Sequence, residues 1–159
     1  MHLKTKIRPA KISELPKIGE LVLNEFVAET HSHIPELESN GDTSLDGFVS
    51  DFKSRILQEI PTAVFIAERG DEIIGAAAGS VSKHPWANLM WGSEDFWYVK
   101  KEERGTSIGI KLFNKLMKWF EDQGAKRIHM THYHWNEKVS KFYNRKGFVP
   151  FEISYVKVV

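Results

Sequence analysis

Apolar residues recur along the chain at two kinds of spacing, and these spacings predict its helices and strands. Spacing of three to four residues, typical of a helix with one buried face, occurs in segments 13–29, 43–60, 108–123 and 136–146. Alternating or continuous apolar residues, typical of strands, occur in segments 3–7, 62–68, 72–82, 91–100, 126–131 and 148–159. The predicted order is β-α-α-β-β-β-α-β-α-β, an α/β layer with helices on both faces of the sheet.

Residues that start, end or turn the chain separate these segments. Thr43 or Ser44 is predicted to cap the second helix, and Pro61 ends it. Gly70-Asp71 is predicted to form the turn of a hairpin. A chain of 159 residues with 42% hydrophobic residues is long enough to bury one core. We therefore expect a single domain over residues 1–159.

Composition excludes several classes of chemistry. The sequence has no cysteine, which excludes disulfides, cysteine-ligated zinc, iron–sulfur clusters and a cysteine nucleophile. No apolar run has the length of a signal peptide or a membrane span. A cytoplasmic protein with no membrane partner is expected.

The formal net charge of +1 conceals two oppositely charged segments. Residues 13–51 hold nine acidic residues and one basic residue, a net charge of −8. Residues 99–159 hold 13 basic and six acidic residues, a net charge of +7. The two segments are therefore expected to face different chemistry.

A strand-to-helix junction at 96–110 carries the first candidate site. The chain turns at Gly105 and Gly109, where the next helix begins with unpaired backbone N–H groups. Such a start attracts anions, and Arg104 and Lys101 add positive charge. The spacing fits neither a Walker loop nor a dinucleotide fingerprint. An ordinary helix start with closely packed glycines is the alternative.

The second candidate segment is the helix that begins at Asn136. Phe142 and Tyr143 lie two turns into this helix, and Gly147-Phe148 follows its end. A tyrosine on the inner face of a short helix commonly belongs to the core, with its hydroxyl bonded to backbone. Taken alone, this segment leaves both interpretations open.

Together the two segments resemble the signatures of the GCN5-related N-acetyltransferase (GNAT) family. The family's Arg/Gln-x-x-Gly-x-Gly/Ala motif corresponds to 104–109, with Ser107 in place of the first motif glycine. Its later signature, an Asn before a helix, then Phe-Tyr and Gly-Phe, corresponds to 136–148. The stretch 152–157 is similar to the tail of bacterial and phage members. The resemblance implies a mostly antiparallel sheet with splayed central strands.

The resemblance also implies the substrates, with acetyl-CoA as donor and an amine as acceptor. The pyrophosphate is expected on the first N–H groups of the helix, and the pantetheine arm beside the preceding strand. A side chain at Ser107 restricts positive φ, which weakens the expected fit. The expected donor-binding residues are Tyr98, Val99, Arg104, Gly105, Thr106, Ser107, Ile108, Gly109, Ile110, Asn136 and Tyr143.

Transfer requires a neutral amine, a polarised thioester oxygen and a protonated leaving thiolate. Tyr143 is the predicted general acid, and the Val99 N–H is the group that the resemblance assigns to the oxygen. Strand alternation predicts that Asp95 shares the face of Val99, so Asp95 is the first candidate base and Glu94 the second. Further candidates are His132, His134 and water.

The acceptor is expected on the side of the first two helices, within the −8 segment. A cationic amine fits Glu36, Glu38 and Asp42 together with Trp86 and Trp91, whereas solvated helix faces are the alternative. The spacing of the histidines predicts no metal site, and the spread of the basic residues predicts no nucleic-acid partner. A homodimer stays open. The alternative function is a non-catalytic acetyl-CoA sensor or protein-binding module.

Overall fold

The computed structural model describes residues 3–37 and 43–159. Its strands are β1 (Lys6–Pro9), β2 (Thr62–Arg69), β3 (Glu72–Lys83), β4 (Met90–Val99) and β5 (Arg127–His129). Its α-helices are α1 (Leu15–Leu21), α2 (Ala28–His33), α3 (Leu45–Leu57), α4 (Ile108–Asp122) and α5 (Glu137–Arg145). A π-helical segment, Val22–Val27, joins α1 to α2 without a break. None of the described helices has the length and apolar character needed to cross a membrane.

The five strands form one sheet in the order β1-β2-β3-β4-β5. All neighbouring pairs are antiparallel except β4 and β5, which are parallel. The pairing of β4 with β5 covers only Trp91–Arg127, Gly92–Ile128 and Ser93–His129. From Glu94 onward β4 has no β5 partner, so the two strands separate. The predicted α/β class, with a mostly antiparallel sheet and splayed central strands, is confirmed.

Helices cover both faces of this sheet. On one face, α1 and α3 bury Leu15, Ile18 and Phe52 against the strands. On the other face, α4 buries Leu112, Leu116 and Phe120. Glycines allow α4 to approach closely: a Cβ at Gly79 would lie 2.5 Å, and one at Gly92 2.7 Å, from the Phe120 ring. This packing fixes α4 against β3 and β4 and sets the place where α4 begins.

Several predicted elements differ from the structure. The opening strand, predicted over 3–7, is Lys6–Pro9, and the strand predicted over 126–131 is Arg127–His129. The first helix was expected to end near Glu29, but the π-helical segment carries it on to His33. The predicted strand 148–159 is wrong, because the residues after Gly147 form no regular structure. Alternating apolar residues form a strand only where a neighbouring edge pairs with their backbone. Here the stretch approaches β5 through side chains, with the Phe151 ring centroid 5.0 Å from that of His129, and forms no strand pairing with it.

Candidate active site

The candidate site is the gap that opens between β4 and β5. Along the other edge of β4, pairing with β3 continues to Val99, and the Lys100 N–H donates to the Ile74 carbonyl at 3.0 Å. Backbone groups of successive strand residues point to opposite edges. The Val99 N–H and C=O therefore point away from β3 and into the gap.

A β-bulge in β4 changes which side chains face the gap. The register runs Ala78–Phe96 and then Gly79–Glu94, so Asp95 is an extra residue with no partner. Before and after a bulge, the alternation of side chains changes by one position. Asp95 therefore does not share the face of Val99, and the prediction that it does is wrong.

Asp95 instead lies against α3. Its Oδ1 accepts a hydrogen bond of 2.8 Å from Arg55 Nη1, and Arg55 also pairs with Asp51 at 2.6 Å. The guanidinium thus binds two carboxylates on the helix side of the sheet. This arrangement holds Asp95 away from the gap and makes it unsuited to accept a proton there.

Glu94, the second candidate base, points toward the loop that follows β5. Its Oε2 accepts a hydrogen bond of 2.9 Å from the Thr131 N–H. Burial raises the pKa of Glu94 to about 7, the Asp95 charge adds to the rise, and the Thr131 N–H opposes it. A carboxyl group with this pKa exchanges protons near neutral pH.

Tyr143, the predicted general acid, is bound to the same residue. Its hydroxyl donates a hydrogen bond of 3.0 Å to the Thr131 carbonyl. Burial raises the pKa of Tyr143 above its usual value, and the Glu94 charge contributes to the rise. Thr131 therefore holds a carboxyl group through its N–H and a phenol through its C=O, beside the open edge of β4.

Helix α5 places Tyr143 in this position. The Asn136 side chain caps α5 by accepting from the Val139 N–H at 3.4 Å, as the sequence predicts for a helix start. Two turns later the Tyr143 ring packs beside Trp97, with centroids 6.1 Å apart, and beside Phe148, at 5.5 Å. The two remaining base candidates, His132 and His134, lie exposed in the loop between β5 and α5.

The start of α4, where the sequence predicts an anion cradle, has backbone N–H groups without helical partners. Its first intrahelical backbone bond runs from the Lys111 N–H to the Ser107 carbonyl, 3.0 Å, so Gly109 and Ile110 donate to no carbonyl within the helix. Trp97 Nε1 donates to the Gly109 carbonyl at 3.0 Å and fixes this turn against β4. Thr106 Oγ1 donates to the Glu103 carbonyl at 2.8 Å. The free N–H groups of Gly109 and Ile110 fit a phosphate group.

Glycine is needed at one position of the cradle and not at another. Gly105 has a φ of 82°, which a side chain would strain. Ser107 has a φ of −77°, a value that any residue adopts. Serine in place of the motif glycine therefore costs no backbone strain here, contrary to the sequence expectation.

The Arg104 side chain points toward α2. Its Nη1 and Nη2 donate to the two carboxylate oxygens of Glu29 at 2.9 and 2.7 Å. Its Nε donates to the Val99 carbonyl at 3.0 Å. Glu29 thus neutralises the charge that sequence reasoning assigned to the cradle.

The −8 segment, where the acceptor is expected from the sequence, carries less free negative charge than its composition indicates. Four acids of the −8 segment have basic partners, and these are Glu14, Glu25, Glu29 and Asp51. Glu38 and Asp42 lie outside the described residues, and Glu36 is exposed. Trp86 is 92% exposed, whereas the Trp91 ring stacks on His84 and His129 at 4.4 and 3.6 Å.

Sequence reasoning missed three residues that shape this site. Thr131, Glu29 and Arg55 act through backbone or ion-pair contacts, and no local pattern marks them. The nearest signal is the excess of acids in the segment that holds Glu29. Within residues 3–37 and 43–159, no three histidines or carboxylates are grouped to hold a metal ion.

Comparisons with known proteins agree with this geometry. A predicted acetyltransferase from Clostridium acetobutylicum, solved with acetyl-CoA, has a TM-score of 0.78 at 16% identity, covering 98% of this chain and 96% of its own. Glucosamine-6-phosphate N-acetyltransferase from Arabidopsis thaliana has a TM-score of 0.71 at 18% identity, covering 98% of both chains. An aminoglycoside acetyltransferase from an uncultured soil metagenomic sample, solved with sisomicin, has a TM-score of 0.71 at 15% identity, covering 98% and 96%.

These structural similarities establish the fold, and a family model establishes the family. No curated protein matches the sequence. The model of the acetyltransferase (GNAT) family matches residues 26–148, which include the gap, the bulge, the cradle and both candidate catalytic groups. The chain belongs to the GNAT family of acetyltransferases, which use acetyl-CoA.

Proposed function

We propose that this protein transfers the acetyl group of acetyl-CoA directly to an amine, with Glu94 as general base and Tyr143 as general acid. The observation that carries the proposal is the pair of hydrogen bonds on Thr131, 2.9 Å from Glu94 and 3.0 Å from Tyr143. A group that accepts a proton near pH 7 and a protonated phenol lie together beside an unpaired strand edge. A general base and a general acid each accelerate amine acylation.

Donor binding is supported by the free backbone groups along the gap. The N–H groups from Gly105 to Ile110 would hold the pyrophosphate at the α4 N-terminus; of these, the Ile108 N–H also donates to Thr106 Oγ1 at 3.4 Å. The unpaired edge of β4 at Val99 would pair with the amides of the pantetheine arm. Tyr98, whose backbone groups point toward β3, would lie beside it. Asn136 would border this arm from the α5 side. When bound, acetyl-CoA supplies a thioester, an acyl group already activated for transfer.

Each chemical step then falls to a named group. An alkylammonium has a pKa of about 10.4, so Glu94 accepts its proton, either directly or through a water molecule. The amine nitrogen forms a bond to the acetyl carbon while the Val99 N–H donates to the thioester oxygen. As the C–S bond breaks, Tyr143 donates its proton to the sulfur. The acylated nitrogen then releases its second proton to solvent, and Tyr143 recovers one from solvent. The chain has no cysteine to carry an acetyl group, which favours direct transfer.

The acceptor is proposed to be a cationic amine. Within the described residues, Glu20, Glu36 and Asp46 of the −8 segment make no ion pair, and they leave negative charge on the side of α1 and α2. Charge of this kind attracts cations over the range of salt screening. The proposal predicts that acceptor KM rises with ionic strength.

The test is acetyl transfer from acetyl-CoA to a panel of amines, followed by release of the CoA thiol and by product mass. The panel contains spermidine, an aminoglycoside, glucosamine 6-phosphate and a peptide with a free N-terminus. Glu94→Gln is expected to lower kcat/KM at least 100-fold, and the matched control Asp95→Asn to leave it within threefold. A protein that binds acetyl-CoA but releases no thiol with any amine would instead be a sensor.

A further inference from the structure

We infer that Glu29 is a positioning residue for acetyl transfer. By binding the Arg104 guanidinium, it fixes the end of β4 and the orientation of the Val99 backbone. The inference rests on the proposed function. It also means that the side chain of Arg104, the first residue of the family motif in this chain, binds α2 rather than the phosphates of the donor.

Three contacts of Arg104 carry the inference. Its two terminal nitrogens bind both oxygens of Glu29 at 2.9 and 2.7 Å, and Nε donates to the Val99 carbonyl at 3.0 Å. The guanidinium also lies over the Tyr98 ring, 5.1 Å from its centroid. A planar fork with this many partners has one preferred orientation.

Glu29 is committed to this contact. Its side chain is only 9% exposed, and Arg104 holds the pKa of its carboxyl below the usual range. A buried carboxylate that lost its partner would carry a substantial desolvation penalty. The pair is therefore expected to persist when the donor binds, and the charge of Arg104 remains directed at α2.

The π-helical segment brings α2 to this position. A π turn shifts the face that the following helix presents, and such turns are frequent at functional sites. Near its end, Phe26 stacks on Tyr98 with centroids 5.3 Å apart, and Glu29 lies about one turn further along, in α2. Within the same segment, Glu25 lies 3.6 Å from Lys100. The π-helical segment and α2 together thus contact Tyr98, Lys100 and Arg104.

The consequence for the reaction concerns the Val99 peptide groups. The Val99 carbonyl that Arg104 holds and the Val99 N–H that faces the thioester oxygen point into the same gap. Releasing the carbonyl would let the strand end rotate and would misalign the N–H. Misplacement of about 1 Å in an active site costs up to 100-fold in rate.

The experiment compares Glu29→Gln, Arg104→Gln, the double variant and Arg104→Lys. The matched control is Arg69→Gln, because Arg69 makes a similar bidentate pair with Glu103, at 2.6 and 2.9 Å, on the turn before Arg104. For each variant, kcat, both KM values, the Kd for CoA and the Val99 amide signal in ¹⁵N NMR spectra are measured. Thermal unfolding identifies variants that fail to fold.

We expect Glu29→Gln and Arg104→Gln each to lower kcat at least tenfold, with the Kd for CoA within threefold of the wild type. The double variant is expected to be no worse than the worse single one, because both remove one contact. Arg104→Lys keeps the charge but loses the fork, so it is expected to behave like Arg104→Gln. Arg69→Gln is expected to leave kcat within twofold and the Val99 signal in place.

One pattern overturns the inference: weaker CoA binding in Arg104→Gln, restored in Arg104→Lys, with Glu29→Gln unchanged. That pattern would make Arg104 a phosphate ligand. If the wild type acetylates no amine, the proposed function fails by itself. The positioning inference is then decided by the Val99 signal, which must shift in both single variants and not in the control.

Discussion

Replacing Glu94 by Gln is expected to remove activity and to stabilise the protein, and both effects have one cause. Glu94 is a partly buried carboxyl group whose pKa burial raises to about 7. Glutamine has the same shape, keeps an oxygen for the Thr131 N–H, and carries no charge at any pH. The substitution therefore removes the proton acceptor together with the cost of burying its charge.

The size of the stability effect follows from the two pKa values. The pKa of Glu94 is about 7 in the folded protein, against a reference value of 4.5. Because a tenfold difference in proton affinity corresponds to about 1.4 kcal/mol, the charged form costs the fold up to about 3 kcal/mol. This cost is absent well below pH 4.5, grows between about pH 4.5 and 7, and is complete above pH 7.

Thermal unfolding at pH 5 and pH 8 measures this dependence. Glu94→Gln is expected to exceed the wild-type Tm by only about 1 to 3 °C at pH 5 and by about 5 to 10 °C at pH 8. In the wild type, kcat/KM is expected to fall about tenfold per pH unit below pH 7, because protonated Glu94 accepts no proton. The control Asp95→Asn loses an ion pair with Arg55 and is expected to destabilise the protein by less than about 1 kcal/mol.

Two results would refute this reasoning. A Glu94→Gln variant with the same stability as the wild type at pH 8 would mean that the carboxylate is well solvated. A variant with normal kcat/KM would mean that water or one of the loop histidines removes the proton. In the second case, a loss of activity in His132→Gln would identify the base.

Three further predictions concern the acid, the cradle and the N-terminal part of the sheet. Tyr143→Phe is expected to lower kcat about 100-fold with little change in the Kd for CoA, since only the hydroxyl is lost. Steady-state kinetics measure kcat and calorimetry measures the Kd, and an unchanged kcat contradicts the prediction. Gly105→Ala places a side chain at a φ of 82°, so it is expected to lower the free energy of unfolding by about 1 kcal/mol and to weaken CoA binding. Ser107→Gly is expected to leave the Kd for CoA within threefold. Unchanged CoA binding in Gly105→Ala argues against the cradle. Arg8 lowers the pKa of Glu14 to about 2, so this ion pair stabilises the fold above pH 4.5 and its contribution is lost as the pH falls toward 2. Glu14→Gln is therefore expected to lower Tm more at pH 7 than at pH 3, and an equal decrease in Tm at both pH values refutes the prediction.

The elements of the fold could be predicted because their signals are local. Each long helix has its own apolar period, and the caps at Ser44 and Asn136 accept from the N–H groups of Gly47 and Val139. The hairpin of β2 and β3 follows from its turn at Gly70. The prediction of a strand over 148–159 failed because its signal is not local: strand pairing depends on a partner edge that sequence alternation does not reveal.

The identity of the base could not be predicted, since one extra residue in β4 reverses the alternation on which the choice depended. Nothing in the sequence around Glu94 and Asp95 distinguishes a regular strand from a bulged one. The bulge is visible only in the pairing with β3, where Gly79 lies opposite Glu94. It sends one acid to Thr131 and the other to Arg55, so two adjacent carboxylates receive different environments and different chemistry.

The charge segregation along the chain acquires a meaning that composition alone does not give. The acidic segment and the basic segment meet at the edge of the gap, where Glu25 and Glu29 contact Lys100 and Arg104. Positive charge expected to serve the donor phosphates is thus partly used to hold α2 in place. Donor binding must then depend more on the backbone N–H groups of α4 than on Arg104. Because backbone dipoles carry no net charge, acetyl-CoA affinity should fall only modestly between 50 mM and 500 mM salt, and a steep fall would indicate binding by side-chain charges.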